Sequence, residues 1–441
     1  MGNNGFFTRG LTASLLLPLA AGIMTLMVAS CEKTTGTKIN INVISNKAEI
    51  SRQFLAAAET YMKQNPQVNI SAEFIQGNSY SSSLRAKMMG ADAPELFVLN
   101  GPVDFRQYAE YLEDLSGEPW VPYVAQGLLD DARLDGKVVA MPVVVEGFGI
   151  IYNKEILTAA GIDASQMNSY DSIEKGVRRL KEVIDSGALK NQYPVLDAPM
   201  EYAAKEPWVL AIHCLGIGLG VELGSATGAA NAKTINFTYA ESQKKLLDLL
   251  TSYTSSGSNR GLLNAVDYST QVGGSLGIER VAMIQQGNWI SPELRNVAPD
   301  VLTKLDMLPM PLAGVVEDRI GAGVPTYWCI NLKSSDEEQK ATKEFLNWLY
   351  QSEEGKKIIV EEFGFIPVFT NYEGLEVADP LGAAVQRYIR EEKIITFPFS
   401  GFPSGFESKA ASEMQSYLAG NMTWDQTVKA IKADWTDLTS K

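Results

Sequence analysis

The chain has 441 residues, of which 45% are hydrophobic and 20% are charged, a balance typical of folded globular proteins and not of disordered ones. At roughly 100 to 200 residues per domain, this length predicts two or three domains, and we expect two lobes. The formal net charge of −14 repels phosphate groups, which argues against nucleic acid and anionic lipid surfaces as partners.

The first 30 residues have the layout of a secretory signal peptide. Arg9 precedes an apolar stretch over residues 11–28, and the small residues V-A-S stand directly before Cys31. A cysteine in this place resembles a bacterial lipobox, so we expect a lipid on Cys31 and a polar tether over residues 31–37. The alternative is an uncleaved membrane anchor, because about 18 apolar residues approach the length of a transmembrane helix.

After the tether, predicted strands and helices alternate. The strands are KININVIS (38–45), VNISAEFI (68–75) and PELFVLN (94–100). One helix is predicted from about Glu49 to Gln64, and a second runs to Met89 after the polar loop QGNSYSSS. This order predicts a parallel sheet covered by helices, with ligands bound at the carboxyl ends of its strands.

One carboxylate stands out in the next segment, MPVVVEGFGIIYNK (141–154), which is otherwise almost entirely apolar. A buried carboxylate without a partner is costly, so Glu146 requires a partner of some kind. Gly147 and Gly149 beside it allow the backbone to bend and to be approached closely.

Local signals place further turns and caps along the chain. Asp135-Gly136 predicts a tight hairpin turn, and Asn153 is a helix cap. The remaining predictions are helices at 154–161, 172–187, from Trp208, at 239–257, 336–350, 354–362 and in the tail from Asp379, a strand-like segment at 304–312, and a surface loop at 224–238.

Five motifs follow one another in a recognisable order. They are YMKQNP at a helix end, GADAPELFVLNGPVDFRQYAEYLEDLS, LDGKVVAMPVVVEGFGIIYNKEIL, RVAMIQQGNW, and KATKEFLNWLYQSEEGKKIIVEEFGFIPV. In this order, behind a lipobox, they resemble the extracellular solute-binding proteins of ABC importers, the sugar-binding lipoprotein family that includes maltose-binding protein. The resemblance covers nearly the whole mature chain.

The resemblance implies an α/β fold of the periplasmic-binding-protein type II, with two lobes, a hinge and a central ligand cleft. The chain should cross between lobes near Glu146 and again near Val324. The implied first lobe comprises 38–145 plus about 326–369, and the second comprises 146–325 plus about 370–441. Closure of such lobes about a hinge around a ligand is a known conformational change.

The function implied is capture of a sugar or oligosaccharide in the cleft and its delivery to a membrane permease. We expect a monomeric, lipid-anchored protein outside the cytoplasm that needs no cofactor or metal and is not an enzyme. Two alternatives remain open, a secreted glycoside-active enzyme and a binding protein for another solute such as an amino acid or peptide. A structural lipoprotein or adhesin is disfavoured because the sequence has no repeats.

Sugars present hydroxyl groups and flat apolar ring faces, so a sugar site requires hydrogen-bonding side chains and aromatic rings. In the family, the carboxylate of the crossing motif reaches sugar hydroxyls, and Glu146 matches that position. Its alternative role is a structural ion pair with a nearby Lys or Arg. We expect Glu146→Gln to weaken binding and to leave the melting temperature of the empty protein nearly unchanged.

Aromatic candidates come from the same resemblance. Trp289, in QQGNW, matches the ring-stacking tryptophan of the family, and Trp208 corresponds loosely to an aromatic segment of the cleft. Each could instead be a core residue. The weaker candidates are Tyr327 and Trp328 at the second crossing, and Phe402 and Phe406 in the tail loop FPFSGFPSGF.

Polar candidates stand at predicted strand ends of the first lobe. Asn46 and Lys47 follow the first strand, and Asn100 and Asp104 follow the third. Their alternative role is helix capping, which Asn and Asp perform well. The ISN sequence after the first strand lacks the aromatic residue that many relatives have there, so the identity of the sugar stays open.

Several kinds of chemistry lack the residues that they require. His213 is the single histidine and lies in an apolar run, so neither a histidine-based triad nor a histidine-rich metal site can form. No GxxxxGK[ST] motif is present for a phosphate-binding loop. Besides Cys31, the cysteines are Cys214 and Cys329, which we expect to be buried thiols, although export would permit a disulfide.

Overall fold

The computed structural model describes residues 38–75, 79–90, 92–375 and 377–440. The expected signal peptide, the lipidated Cys31 and the tether lie outside the described residues. The strands are β1 (Ile39–Ser45), β2 (Val68–Phe74), β3 (Leu96–Leu99), β4 (Arg133–Leu134), β5 (Lys137–Val138), β6 (Met141–Pro142), β7 (Glu146–Asn153), β8 (Ala198–Glu201), β9 (Val281–Gly287), β10 (Leu305–Leu308), β11 (Ile320–Gly323), β12 (Tyr327–Ile330) and β13 (Ile394–Thr396).

Helices cover both sheets that these strands form. They are α1 (Ser51–Gln64), α2 (Ser79–Met88), α3 (Pro102–Gln107), α4 (Lys154–Ala159), α5 (Tyr170–Asp185), α6 (Leu215–Leu223), α7 (Ala226–Asn231), α8 (Ala240–Ser252), α9 (Tyr268–Gln271), α10 (Ser291–Val297), α11 (Pro299–Leu302), α12 (Asp336–Gln351), α13 (Glu353–Lys357), α14 (Pro380–Arg390), α15 (Phe406–Leu418) and α16 (Trp424–Thr439). Short π-helical stretches occupy Val209–Cys214, Val272–Leu276 and Ile358–Glu362.

The first sheet has the strand order β2-β1-β3-β12-β6. Strands β1, β2 and β3 are parallel, as the strand-helix alternation predicted, and β12 joins β3 in the antiparallel direction. The carboxyl ends of β1 and β3 therefore lie at one edge, where the loops after Ser45 and Leu99 begin. We refer to this sheet and its helices as the first lobe.

The second sheet has the order β13-β11-β7-β9-β8, with β10 also paired to β7. Strand β7 is its centre, because it is antiparallel to β9 on one side and to β10 and β11 on the other. All eight residues of β7 are buried, which accounts for its nearly continuous apolar sequence. We refer to this sheet and its helices as the second lobe.

The chain passes between the two sheets at the predicted crossings. Strand β6 ends at Pro142 in the first sheet and β7 begins at Glu146 in the second. The return passage lies between Gly323 and Tyr327. Close packing requires glycine at the first crossing, since a Cβ on Gly147 would come within 2.8 Å of the Val385 side chain.

Most local predictions are confirmed. Asp135 and Gly136 both have positive φ angles, of 50° and 81°, and join β4 to β5 as a hairpin. Asn153 caps α4 by accepting hydrogen bonds from the backbone N–H groups of Glu155 and Ile156, at 3.0 and 3.2 Å. These features are local in sequence, which is why the sequence predicts them.

Three local predictions are wrong or incomplete. Residues 224–238 contain helix α7, whose N-terminus is capped by Ser225, and are not simply a surface loop. The strand at 304–312 is limited to β10, because Pro309 follows it and lacks a backbone donor. Strands β8, β9, β11, β12 and β13 were not predicted, and β8 and β13 are too short to show a period.

No helix within the described residues is long and apolar enough to cross a membrane. Cys214 and Cys329 are buried and unbridged, which confirms the expectation of buried thiols.

Candidate functional site

Polar side chains gather at the carboxyl-end edge of the first sheet. Asp104 Oδ2 accepts hydrogen bonds from the backbone N–H and the side-chain amide of Asn100, both at 3.0 Å. Asn46 Nδ2 lies 3.5 Å from Asn100 Oδ1, a marginal hydrogen bond, while its buried Oδ1 atom has no partner among the described residues. Burial raises the pKa of Asp104 despite the hydrogen bonds from Asn100. The structure therefore brings these three predicted residues together.

A cleft opens beside this polar group. Asn100 and Asp104 line it together with Arg85 and Gln107 of the first lobe and Ser404 of the second. Both lobes therefore contribute to its walls.

Glu146 does have a partner, the buried ammonium group of Lys47. Lys47 Nζ donates to Glu146 Oε1 and lies 3.4 Å from Glu49 Oε1. Burial opposes charge on Lys47, but attraction to Glu146 and Glu49 outweighs it and raises the lysine pKa. Burial raises the pKa of Glu146 although Lys47 favours its charged form. The ion-pair alternative for Glu146 thus has a structural basis, and a contact with ligand stays a prediction.

Trp289 lies two residues after Gly287, the last residue of β9. Because β9 is antiparallel to β7, this end of β9 lies beside the beginning of β7, where Glu146 stands. The Trp289 ring lies over Gly287, where an added Cβ would clash with the indole and approach the carbonyl oxygen of Gly147 to 2.6 Å. Trp289 Nε1 donates a hydrogen bond of 3.0 Å to Gln286 Oε1. The indole is therefore held in one orientation next to strand β7.

Trp208 and His213 are brought together by a π-helical stretch. Residues five apart lie close on such a helix, because its hydrogen bonds run from i to i+5. Here the ring centroids of Trp208 and His213 are 5.0 Å apart, and His213 also stacks on Phe148 at 4.1 Å. Burial lowers the pKa of His213 to about 3, with Gln285 opposing the shift, so the imidazole is neutral. The imidazole is buried and shares a hydrogen bond with the side-chain amide of Gln285.

Three half-buried aromatic rings form the exposed layer of this cluster, and we call them the aromatic wall: Trp208, Tyr268 and Trp289. Trp208 contacts Tyr268 and Trp289 at centroid distances of 6.0 and 6.1 Å. Burial, then the charges of Glu293 and Glu49, raises the pKa of Tyr268. The aromatic wall lies next to the Lys47–Glu146 pair, because Gly287 contacts both the Trp289 ring and the backbone of Gly147, the residue after Glu146.

Two predicted aromatic residues of the second crossing belong to the core of the first lobe instead. Trp328 is 1% exposed and donates a hydrogen bond of 3.0 Å to the hydroxyl of Tyr350. Tyr327, on the opposite face of β12, is 3% exposed and packs edge-on against Phe105. Alternation along β12 places the two rings on opposite faces of the sheet, and both are buried there in this structure, so a contact of either ring with ligand stays a prediction.

Phe402 and Phe406 also lie in a core. They pack against each other and against Trp435, with centroid distances of 5.4 and 4.8 Å to its ring. Phe406 is completely buried. The two phenylalanines therefore pack helices α15 and α16 together within the second lobe, and a contact with ligand stays a prediction.

The sequence analysis missed Tyr268 and the buried amides of Gln271 and Gln286. Tyr268 lies on the short helix α9, whose four residues give no periodic signal. Gln286 is adjacent to the motif QQGNW, and a buried polar pair inside an apolar strand was an available signal. Among the described residues, no group of His, Cys, Asp and Glu is placed to hold a metal ion.

Residues 56–384 match the family described as bacterial extracellular solute-binding protein. The chain belongs to this family. By sequence, it is 22% identical over 350 residues to the melibiose/raffinose/stachyose-binding protein MelE of Bacillus subtilis (strain 168), an alignment that covers 78% of each chain. Membership confirms the expected extracytoplasmic location and the binding role.

Solved structures share the fold. SBP RafE in complex with raffinose aligns with a TM-score of 0.72 at 16% identity, covering 91% of this chain and 100% of that chain. A chitin oligosaccharide binding protein aligns with a TM-score of 0.74 at 17% identity, covering 92% and 100%. The predicted two-lobe α/β fold of the periplasmic-binding-protein type is thereby confirmed.

Proposed function

We propose that the protein captures an oligosaccharide between its lobes and delivers it to the permease of an ABC importer. The observation that supports this most directly is the aromatic wall beside a polar edge. Trp208, Tyr268 and Trp289 offer ring faces for the apolar faces of sugar rings. Asn46, Asn100 and Asp104 offer hydrogen-bonding groups for hydroxyls.

The number of ring faces in the aromatic wall favours more than one sugar ring. Neighbouring rings are about 6 Å apart between centroids and are tilted by 52° and 72° to one another, so they present separate faces. The relatives support the same size of ligand, since MelE is named for melibiose, raffinose and stachyose, and the structural neighbours are a raffinose complex and a chitin oligosaccharide binding protein. We therefore favour di- to tetrasaccharides over single sugars.

Electrostatics favours a neutral ligand. Lys47 already forms ion pairs with two carboxylates, those of Glu146 and Glu49, and is therefore not available to pair with an anionic ligand. Burial raises the pKa of both Asp104 and Glu293, because a carboxylate there is poorly solvated, and the same burial would disfavour the carboxylate of a ligand. A uronic acid would add to that unfavourable charge, whereas a neutral glycan would not.

Ligand binding would be coupled to closure of the lobes. Thr227 of helix α7 donates a hydrogen bond of 3.1 Å to Asp131, which joins the second lobe to the first. A ligand that contacts both lobes binds the closed state more tightly and so favours it. The lobes proposed here are 38–145 with about 326–369, and 146–325 with about 370–441.

The remaining parts of the proposal concern attachment and assembly. A lipid on Cys31 would anchor the protein to the outer face of the cell membrane, where it could meet the permease as a monomer. Mass spectrometry of the membrane-extracted protein tests the lipid, because acylation at Cys31 and removal of residues 1–30 predict a defined mass.

Calorimetric titration with raffinose, stachyose, chitin oligosaccharides and their monosaccharides tests the binding function. We expect saturable binding of at least one oligosaccharide at one site per chain, with recovery of the intact sugar. Binding of none of them together with binding of peptides would contradict the proposal. Appearance of hydrolysis products would instead favour a glycoside-active enzyme.

A further inference from the structure

A line of buried hydrogen bonds leads away from the Trp289 ring. Trp289 Nε1 donates to Gln286 Oε1 at 3.0 Å, and Gln286 Nε2 donates to Gln271 Oε1 at 2.8 Å. Gln271 Nε2 then donates to the backbone carbonyl oxygen of Glu201, also at 2.8 Å. Every amide in this line acts as donor on one side and acceptor on the other, so each fixes the orientation of the next.

Both glutamines are completely buried. A buried amide without partners is costly, which makes this arrangement strongly preferred over one in which either side chain turns away. The line ends at a backbone atom of β8, which pairs with β9 in the second sheet. The orientation of the indole is therefore tied to the rigid sheet and not to a loop.

Gln271 also fixes a second ring of the aromatic wall. It is the last residue of helix α9, whose first residue is Tyr268. The Tyr268 ring in turn contacts Trp208 at 6.0 Å. One buried amide thus holds both the helix that carries Tyr268 and, through Gln286, the indole of Trp289.

The space around the Trp289 indole is restricted as well. Gly287 lies against the Trp289 indole, where any side chain would clash with ring atoms Cζ3 and Cη2. The His213 and Trp208 rings pack on the same indole at centroid distances of 5.1 and 6.1 Å, and the hydrogen bond to Gln286 occupies its N–H group.

We infer that Gln286 and Gln271 are positioning residues that hold the aromatic wall ready for the sugar, and that the hydrogen bond to Gln286 keeps the Trp289 N–H group from the ligand. The inference rests on the proposed sugar-binding function. Side chains that are fixed before binding lose less conformational entropy when the ligand arrives, which strengthens binding without any new contact.

A double-mutant cycle with raffinose as the probe tests the first part. We expect Gln286→Met to weaken binding about 3- to 10-fold, the equivalent of one net hydrogen bond. The variant Trp289→Phe keeps an aromatic ring face but lacks the N–H group that donates to Gln286 in the wild type. In the Trp289→Phe background, Gln286→Met should therefore weaken binding by less than about twofold. An equal loss in both backgrounds would show that Gln286 acts independently of the indole and would overturn the inference.

Hydrogen exchange of the indole N–H groups tests positioning without any ligand. The Trp289 resonance is identified among those of the seven tryptophans by its loss in Trp289→Phe. We expect this N–H to exchange faster in Gln286→Met and, to a smaller extent, in Gln271→Met. Unchanged exchange in a folded variant would refute the positioning role, and Gln271→Met decides the question if Gln286→Met does not fold.

Asn331 supplies a matched control. It is a buried amide of the first lobe that donates to the carbonyl oxygen of Pro94 and accepts from the N–H of Lys333. Asn331→Leu should lower stability and leave both raffinose affinity and Trp289 exchange unchanged. If the wild-type protein binds no saccharide, the proposed function fails, while the exchange measurement still decides whether the glutamines hold the ring.

Discussion

Replacing Glu146 by Gln is expected to destabilise the empty protein, which reverses the prediction made from the sequence alone. Glu146 and Lys47 are 4% and 7% exposed, so neither charge is solvated by bulk water. Removing one partner of a buried ion pair costs about 3 to 5 kcal/mol, because the other charge is left buried. Glu49, 3.4 Å from Lys47 Nζ, offsets part of this cost. We therefore expect a loss of about 2 to 3 kcal/mol in the free energy of unfolding.

Urea unfolding of the ligand-free protein measures this loss, with Glu49→Gln as the matched control. Glu49 is less buried and farther from Lys47 than Glu146 is, so its replacement should cost less than about 1 kcal/mol. The double variant Lys47→Met/Glu146→Gln removes both charges and should recover much of the stability that Glu146→Gln loses.

An unchanged unfolding curve for Glu146→Gln, combined with much weaker sugar binding, would refute the ion-pair interpretation. It would instead return Glu146 to the role that the family resemblance implies, a carboxylate that is free to meet sugar hydroxyls.

Other variants test the rest of the site. Trp289→Ala should lower sugar affinity by about 1 to 3 kcal/mol with little change in unfolding, since it removes a stacking surface; unchanged calorimetric affinity would remove Trp289 from the site. Phe406→Ala should cost about 3 to 5 kcal/mol of stability and leave affinity within twofold, because it empties a core position; a selective loss of affinity would restore Phe406 to the cleft. His213 has a folded-state pKa of about 3, below its ordinary 6.5. The stability that its buried, neutral imidazole contributes is therefore fully present above pH 6.5 and is lost as the pH falls toward 3. Between pH 6.5 and pH 3 the wild type should thus lose about 3 to 5 kcal/mol more unfolding free energy than His213→Gln does. Parallel curves of unfolding free energy against pH for the two proteins would contradict the lowered pKa of His213. A neutral trisaccharide should bind at least about tenfold more tightly than a matched oligouronate; equal affinities would contradict the charge argument.

The order of elements and several of their ends could be predicted from the sequence. The hairpin at Asp135-Gly136 and the cap at Asn153 depend on a few neighbouring residues, whose backbone preferences and hydrogen bonds act over short distances. The polar edge of the first sheet followed from the rule that ligands meet the carboxyl ends of parallel strands, and Asn46, Asn100 and Asp104 do lie together there.

The partners of the site residues could not be predicted from the sequence. Lys47 and Glu146 are 99 positions apart, and only the packing of one lobe against the crossing strand makes them an ion pair. Trp328 and Phe406 are aromatic, as the residues of the aromatic wall are, but the placement of β12 and α15 buries them in cores. Trp208 and His213 meet because their segment is π-helical, and an ordinary α-helix would not bring residues five apart together.

For this protein, local sequence therefore determined the elements, their order and the family. Tertiary packing decided which rings are exposed and which charges are neutralised, because burial and ion pairing are properties of residues that are distant along the chain.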